Sequence, residues 1–148
     1  MTDFRYATDD DLELILEFIN KHALTQGLPD PVSVTTEDLK KEIFERGNAN
    51  VIFSLKDGKE TGFAFFYYAF SSFVGKRILY LEDLYVLPEY RGQGFGKKLM
   101  LSLVSIAREK NCVKMEWCCL KKNEASAAFY RSLGAIESDD RSLFKLYI

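Results

Sequence analysis

The chain has 148 residues, 47% of them apolar and 28% charged, and a formal net charge of −2. That length suits one domain, residues 1–148, with a substantial core. The small net charge gives no basis for nucleic acid or an anionic membrane as partner.

In chain order, Phe4 to Ala7 reads as a short strand. Thr8 then offers a helix cap, with Asp11 three residues on. Leu12, Ile15, Leu16, Ile19 and Ala23 recur at helical spacing and form one apolar stripe. Residues Gln26 to Val34, which include Pro29 and Pro31, are expected to be irregular, and Thr36 opens a second helix carrying Leu39, Ile43 and Phe44. Asn50 to Lys56 reads as a strand, Asp57-Gly58 as a tight hairpin turn, and Thr61 to Ala69 as an aromatic-rich second strand of that hairpin. Arg77 to Val86 is a further strand, ending before Pro88. Lys97 to Lys110 is expected to be helical with Leu99, Met100, Leu103, Val104 and Ala107 inward, and Val113 to Cys119 to be a strand. Glu124 to Leu133 is a helix capped by Asn123 and stopped by Gly134. Ser142 to Tyr147 is expected as the last strand. The order implies an α/β (α+β) protein with a mixed, mostly antiparallel sheet and helices on its faces.

The stretch Tyr90-Arg91-Gly92-Gln93-Gly94-Phe95-Gly96-Lys97 lies between a strand pattern and a helix pattern. Glycines allow a tight turn and let a ligand approach the backbone N–H groups. The helix that follows offers unpaired donors and a partial positive charge to an anion. These features read as a cradle for a pyrophosphate. A dinucleotide fold would place such a loop after its first strand, and a Walker loop needs Gly-Lys-Ser/Thr, so neither applies.

Arg91-Gly92-Gln93-Gly94-Phe95-Gly96 resembles the Arg/Gln-x-x-Gly-x-Gly/Ala signature of the GNAT N-acetyltransferases. Leu81-Glu82-Asp83-Leu84-Tyr85-Val86 and the run from Asn123 to Ala135 resemble the same family. Gly62-Phe63-Ala64, Val74-Gly75-Lys76 and Leu79-Tyr80-Leu81-Glu82-Asp83 are most similar to the diamine (spermidine/spermine-type) members. The resemblance implies the GNAT fold, acetyl-CoA as co-substrate and a small-molecule amine as acceptor. It also implies a homodimer whose site is completed by the second subunit.

It further implies roles for particular residues. Backbone groups of Leu84, Tyr85 and Val86 would pair with the pantetheine arm, and Gln93 to Lys97 would bind the pyrophosphate with Gly92, Gly94 and Gly96 giving access. Arg91 is either a charge near the phosphates or a solvated loop arginine. Lys97, with Lys98, stands where a cation opposes the helix dipole unless an anion is bound. Asn123 would cap its helix and reach the cofactor arm, beside Ser126. An alkylammonium must lose a proton before it can attack a thioester, and the family places that base at Glu82. Strand alternation predicts that Glu82 and Asp83 point to opposite faces. Tyr130 matches the family's general acid for the departing thiolate.

The acceptor would meet Glu82, Asp83, Trp117 and Asp139 or Asp140. Ser71-Ser72-Phe73 replaces the acidic residue, proline and tryptophan of the polyamine enzymes, which leaves room for a short diamine, a lysine analogue or an amino acid. Cys112, Cys118 and Cys119 suggest no disulfide framework, the single histidine completes no zinc set, and no metal is expected. Cys118 and Cys119 are expected to be buried small apolar residues. Met1-Thr2-Asp3-Phe4-Arg5 lacks the basic and apolar regions of a secretory leader, so the expected setting is cytoplasmic. The rival readings are a protein or peptide N-acetyltransferase and a non-catalytic acetyl-CoA-binding module; a mere binder would need neither Glu82 nor Tyr130.

Overall fold

A computed structural model describes residues 4–28 and 32–148. Pro29 and Pro31 lie outside the described residues. The chain forms two compact units, one up to Cys118 and one from Cys119 to Ile148.

The first unit is built on a five-stranded sheet in the order β1-β2-β3-β4-β5. The strands are β1 (Phe4–Tyr6), β2 (Asn50–Lys56), β3 (Lys59–Ser71), β4 (Lys76–Val86) and β5 (Lys114–Trp117). Each neighbouring pair is antiparallel except β4 and β5, which run parallel. Parallel neighbours need a long crossover, and here it contains helix α3 (Phe95–Glu109). Asp57 and Gly58 both take positive φ, as the tight turn of the β2–β3 hairpin requires.

Helix α1 (Leu12–Thr25) follows a short 3-10 turn in which the Thr8 N–H donates to the Asp11 carboxylate at 2.7 Å. Helix α2 (Thr36–Leu39) begins at Thr36 as expected, and Thr35 is its cap, exchanging hydrogen bonds with Asp38. It then widens into π-helical turns over Lys40–Glu45, which no local propensity announces.

The apolar stripe of α1 meets one face of the sheet. Phe18 has its ring centroid 5.3 Å from Phe63, 5.7 Å from Phe53 and 6.3 Å from Tyr85. Ile15, Leu39, Ile43 and Val51 close around this group. Phe18, Phe53 and Phe63 are almost wholly buried, and each contributes roughly 1.5–3 kcal/mol by leaving water. Alternation turns Ile52, Ala64 and Phe66 to the other face, while Leu99, Leu103 and Ile106 form the buried side of α3.

The second unit holds α4 (Glu124–Ser132) and extended chain. The expected strand at Ser142–Tyr147 is not formed. Its alternating pattern is a local signal, but a strand exists only through a hydrogen-bonded neighbour. None pairs with it among the described residues, and Leu143, Phe144, Leu146 and Tyr147 are each at least 78% exposed.

Gly62 of β3 pairs with Ser54 of β2 and Val86 of β4. A Cβ there would stand 2.6 Å from the Tyr85 carbonyl oxygen and 3.1 Å from Val86 Cα. The neighbouring Ser54 and Thr61 hydroxyls are buried and bonded to each other at 2.8 Å, so the region has no slack. Gly62→Ala is expected to destabilise the protein by about 1–3 kcal/mol, the usual cost of overpacking. A denaturant-unfolding midpoint equal to wild type would contradict this.

Candidate active site

The register of β3 against β4 contains one irregularity. Phe65 pairs with Asp83 and Phe66 with Leu81, so Glu82 is an extra residue on β4. Such a bulge changes which way the following side chains point. Tyr80 pairs with Tyr67 and Asp83 pairs with Phe65, and Tyr67 and Phe65 lie on the same face of β3. Tyr80 and Asp83 therefore share a face, and alternation from Tyr80 brings Glu82 to it as well. The expectation that Glu82 and Asp83 face opposite ways is corrected by this one inserted residue.

The two carboxylates influence each other. Burial first, and repulsion from Asp83 second, raise the Glu82 pKa above the ordinary carboxylate value. Glu82 is exposed as a residue, so the desolvation arises from the groups packed around its carboxyl. On the same face Tyr67 and Tyr80 stack with centroids 5.1 Å apart; burial raises the Tyr67 phenol, the Cys118 hydrogen bond and burial raise that of Tyr80, and the Glu82 charge adds to both. The Tyr80 hydroxyl donates to Cys118 Sγ at 3.3 Å.

Glu82 also marks the point where β4 loses a partner. Pairing with β5 runs from Ile78 opposite Lys114 to Leu81 opposite Trp117 and stops. Leu84, Tyr85 and Val86 thus have a strand edge without a sheet partner among the described residues. Trp117 is half-buried at the end of β5, beside this edge. Cys118 and Cys119, expected to be buried, are exposed, because the strand ends before them.

β4 leads through a 3-10 turn at Pro88–Tyr90 into the glycine loop. Gly92 and Gly94 have φ of 72° and 87°, and Gly94 is the residue that caps α3. A Cβ at either would meet nothing, so the turn's handedness rather than crowding requires glycine there. The helix starts at Phe95, two residues before the expected Lys97, which puts Gly96 in its first turn. The first ladder bond is Lys98 N–H to the Gly94 carbonyl at 3.0 Å. The N–H groups of Phe95, Gly96 and Lys97 therefore precede the ladder and form an anion-binding end.

Side chains stiffen this loop. Arg91 Nε donates to the Val86 carbonyl at 2.9 Å, and its guanidinium lies over Tyr85 at 5.2 Å. Arg91 thus clasps the loop to β4, a role neither sequence reading contained. Gln93 donates to the Glu89 carbonyl at 2.9 Å and accepts from Lys56 at 3.2 Å. Phe95 is buried against Tyr90, while Lys97 is exposed at the helix start.

In the second unit, the Asn123 side chain accepts from the Ser126 N–H at 3.1 Å, which is the expected cap of α4. Arg131 binds Glu124 at 2.7 Å and Glu137 at 2.8 Å. Burial first, and the Cys119 thiol second, push the Tyr130 phenol up to about 12. Asp139 is exposed, and the Ser138 hydroxyl donates to Asp140. Ser71-Ser72-Phe73 forms the tip of the β3–β4 hairpin. Six residues of strand separate Lys76 from Glu82, roughly 20 Å, so within one chain that tip stands well away from the carboxylates. Among the described residues, no group of three or more His, Cys, Asp and Glu could hold a metal ion. No described helix is long and apolar enough to cross a membrane.

A β4 edge left without a partner beyond Leu81, a glycine loop and a helix start follow one another along the chain, and comparison with known proteins gives the family. The model of the acetyltransferase (GNAT) family matches residues 17–135. The chain belongs to the GNAT acetyltransferases and is an acyltransferase enzyme. It is 32% identical over 123 residues to thialysine N-epsilon-acetyltransferase of Caenorhabditis elegans, covering 83% of this chain and 76% of that protein. It is 31% identical over 153 residues to human spermidine/spermine N(1)-acetyltransferase-like protein 1, covering 97% of this chain but 22% of that much longer protein. A crystal structure of a probable acetyltransferase superposes with a TM-score of 0.84 at 26% identity, covering 98% of this chain and 97% of the other.

The raised Glu82 pKa has a consequence for stability. The folded state holds this proton more tightly than the unfolded chain does, so stability falls as pH rises from the ordinary carboxylate value through the raised one. Above that window the ionised carboxylate is a cost. Glu82→Gln is expected to raise the melting temperature at neutral pH and to give no gain well below the window. An identical shift at every pH would show that Glu82 ionisation is not the source.

Proposed function

We propose that this enzyme moves the acetyl group of acetyl-CoA to a primary amine of a small molecule, a diamine, polyamine or lysine-like amine, by direct attack. The observation that carries the reading is the Glu82 bulge. It sets two carboxylates on one face of β4 at the point where the strand edge opens. The names of the relatives support an amine acceptor, since one is a thialysine N-epsilon-acetyltransferase and the other is named for its likeness to spermidine/spermine N(1)-acetyltransferase. The family uses acetyl-CoA as co-substrate. The free edge of Leu84–Val86 and the start of α3 suit its pantetheine arm and pyrophosphate.

In this mechanism the acceptor arrives as an ammonium, with a pKa near that of lysine, about 10.4. Paired carboxylates attract it, and Glu82, with its raised pKa, takes the proton. The amine nitrogen attacks the thioester carbonyl, the C–S bond breaks and the sulfur leaves with the electron pair, while the second proton of the attacking nitrogen passes to the thiolate, directly or through water, to give amide and thiol. Tyr130 stabilises that thiolate. Its phenol pKa is about 12, well above the ~8.5 of an ordinary thiol, so its contribution is a hydrogen bond more than a completed proton transfer. Asn123 and Ser126 serve the cofactor arm, while Asp83, Trp117 and Asp139 serve the acceptor. The reading treats residues 1–148 as one domain, which the family match supports by running across Cys118. A homodimer working in the cytoplasm completes it.

Thiol release from acetyl-CoA against putrescine, spermidine, spermine, lysine, thialysine and a peptide tests the proposal. Turnover with small amines is expected; turnover with the peptide alone would favour the rival, and none with any amine would defeat the reading. Tyr130→Phe is expected to lower kcat roughly 10²-fold, with the acetyl-CoA affinity nearly unchanged. An undiminished kcat would remove Tyr130 from the chemistry. Asp83→Asn removes the repulsion that helps raise Glu82, so the acidic limb of the kcat/KM profile should move to lower pH. A limb that stays in place would show that another group titrates.

A further inference from the structure

We propose that His22, the only histidine of the chain, is a positioning residue for the acceptor end. Its Nε2–H steadies one oxygen of Asp83, and the other oxygen is left to receive the acceptor's ammonium. This rests on the amine-acetylation reading and adds a determinant on α1, outside every motif of the sequence.

His22 lies in the last turn of α1, and its Nε2 stands 3.4 Å from Asp83 Oδ1 across the gap to β4. The bulge at Glu82 makes this meeting possible, because it turns Asp83 to the face that α1 covers. The imidazole packs on Tyr85, with centroids 5.6 Å apart. Its backbone is fixed as well: the His22 carbonyl accepts from the Thr25 hydroxyl at 2.6 Å and the Gln26 N–H at 3.2 Å. A side chain held by a helix end and an aromatic face is a rigid support for a carboxylate.

The other ring nitrogen decides the tautomer. Among the described residues, His22 Nδ1 is buried with no hydrogen-bond partner. A proton on Nδ1 would leave a buried donor unsatisfied and turn the Nε2 lone pair toward the Asp83 carboxylate. Nδ1 lacks a partner in either tautomer, so the contact at Nε2 decides, and a proton on Nε2 offers the carboxylate a donor in place of a lone pair. In the neutral ring, therefore, Nε2–H points at Asp83. At 3.4 Å the contact is longer than the roughly 2.7–3.2 Å of an N–H···O bond, a close polar approach and not a formed hydrogen bond. Without this restraint, Asp83 would have to be ordered by each incoming amine, at an entropic cost charged to acceptor binding.

The test compares wild type with His22→Phe, which keeps a ring on Tyr85 but lacks the donor, and His22→Gln, which restores a donor. In His22→Phe the KM of the amine should rise roughly tenfold while kcat and the KM of acetyl-CoA hold, an effect of about one hydrogen bond. His22→Gln should recover part of the loss, and His22→Phe should add little to Asp83→Asn. An unchanged amine KM, or equal losses for both substrates together with a lower melting temperature, would make His22 merely structural and overturn the proposal. The lone histidine also gives unambiguous 15N NMR signals. A neutral ring protonated on Nδ1 would overturn the inference even if wild type acetylated no amine, an outcome that would separately defeat the proposed function.

Discussion

One inserted residue in β4 governs which side chains of the first unit face one another. Phe65 and Phe66 are consecutive on β3, but their partners, Asp83 and Leu81, are not consecutive on β4. The extra residue, Glu82, reverses the facing of everything after it. Leu81 belongs to one side of the sheet, and Asp83 and Tyr85 belong to the side that α1 covers. Tyr85 can therefore enter the Phe18, Phe53 and Phe63 core, Asp83 can meet His22, and two carboxylates come to share a face. A strand of regular pleat would have separated them and left Glu82 without the neighbour that helps raise its pKa.

The same strand carries two further functions in sequence. Up to Leu81 it is an interior strand, paired on both edges. From Glu82 to Val86 it keeps only β3, and the edge toward β5 opens. Beyond Val86 it turns into the glycine loop, whose Arg91 reaches back to hold the Val86 carbonyl. Two carboxylates on one face, an unpaired strand edge and a helix start with unpaired N–H groups are thus consecutive along one chain segment. Their spacing is set by backbone geometry, so little side-chain ordering is needed when ligands arrive.

Much of this was legible from local signals. The α1 stripe, the Asp57-Gly58 turn, the Asn123 cap and the glycine loop each rest on a few adjacent residues, and each appears where those residues imply. The misses have a common cause. Ser142 to Tyr147 alternates like a strand but forms none, because alternation supplies no partner. Cys118 and Cys119 look like core residues, yet they follow the end of β5 and are exposed. Arg91 looked like a phosphate ligand or a solvated side chain, and neither reading could include a carbonyl five residues back in a folded loop. His22 looked like a histidine with no metal companions, and its partner lies sixty-one positions away.

The sequence by itself determined the element order up to the helix after Asn123, the family and the identity of the residues available for chemistry, because periodicity, turn chemistry and motif spacing are written over short stretches of chain. Only the tertiary structure decided which of those residues face one another. Register between strands and contact between a helix and a sheet depend on residues far apart in the chain, and a single bulge can invert them. The pairing of Glu82 with Asp83, and of Asp83 with His22, is of that second kind.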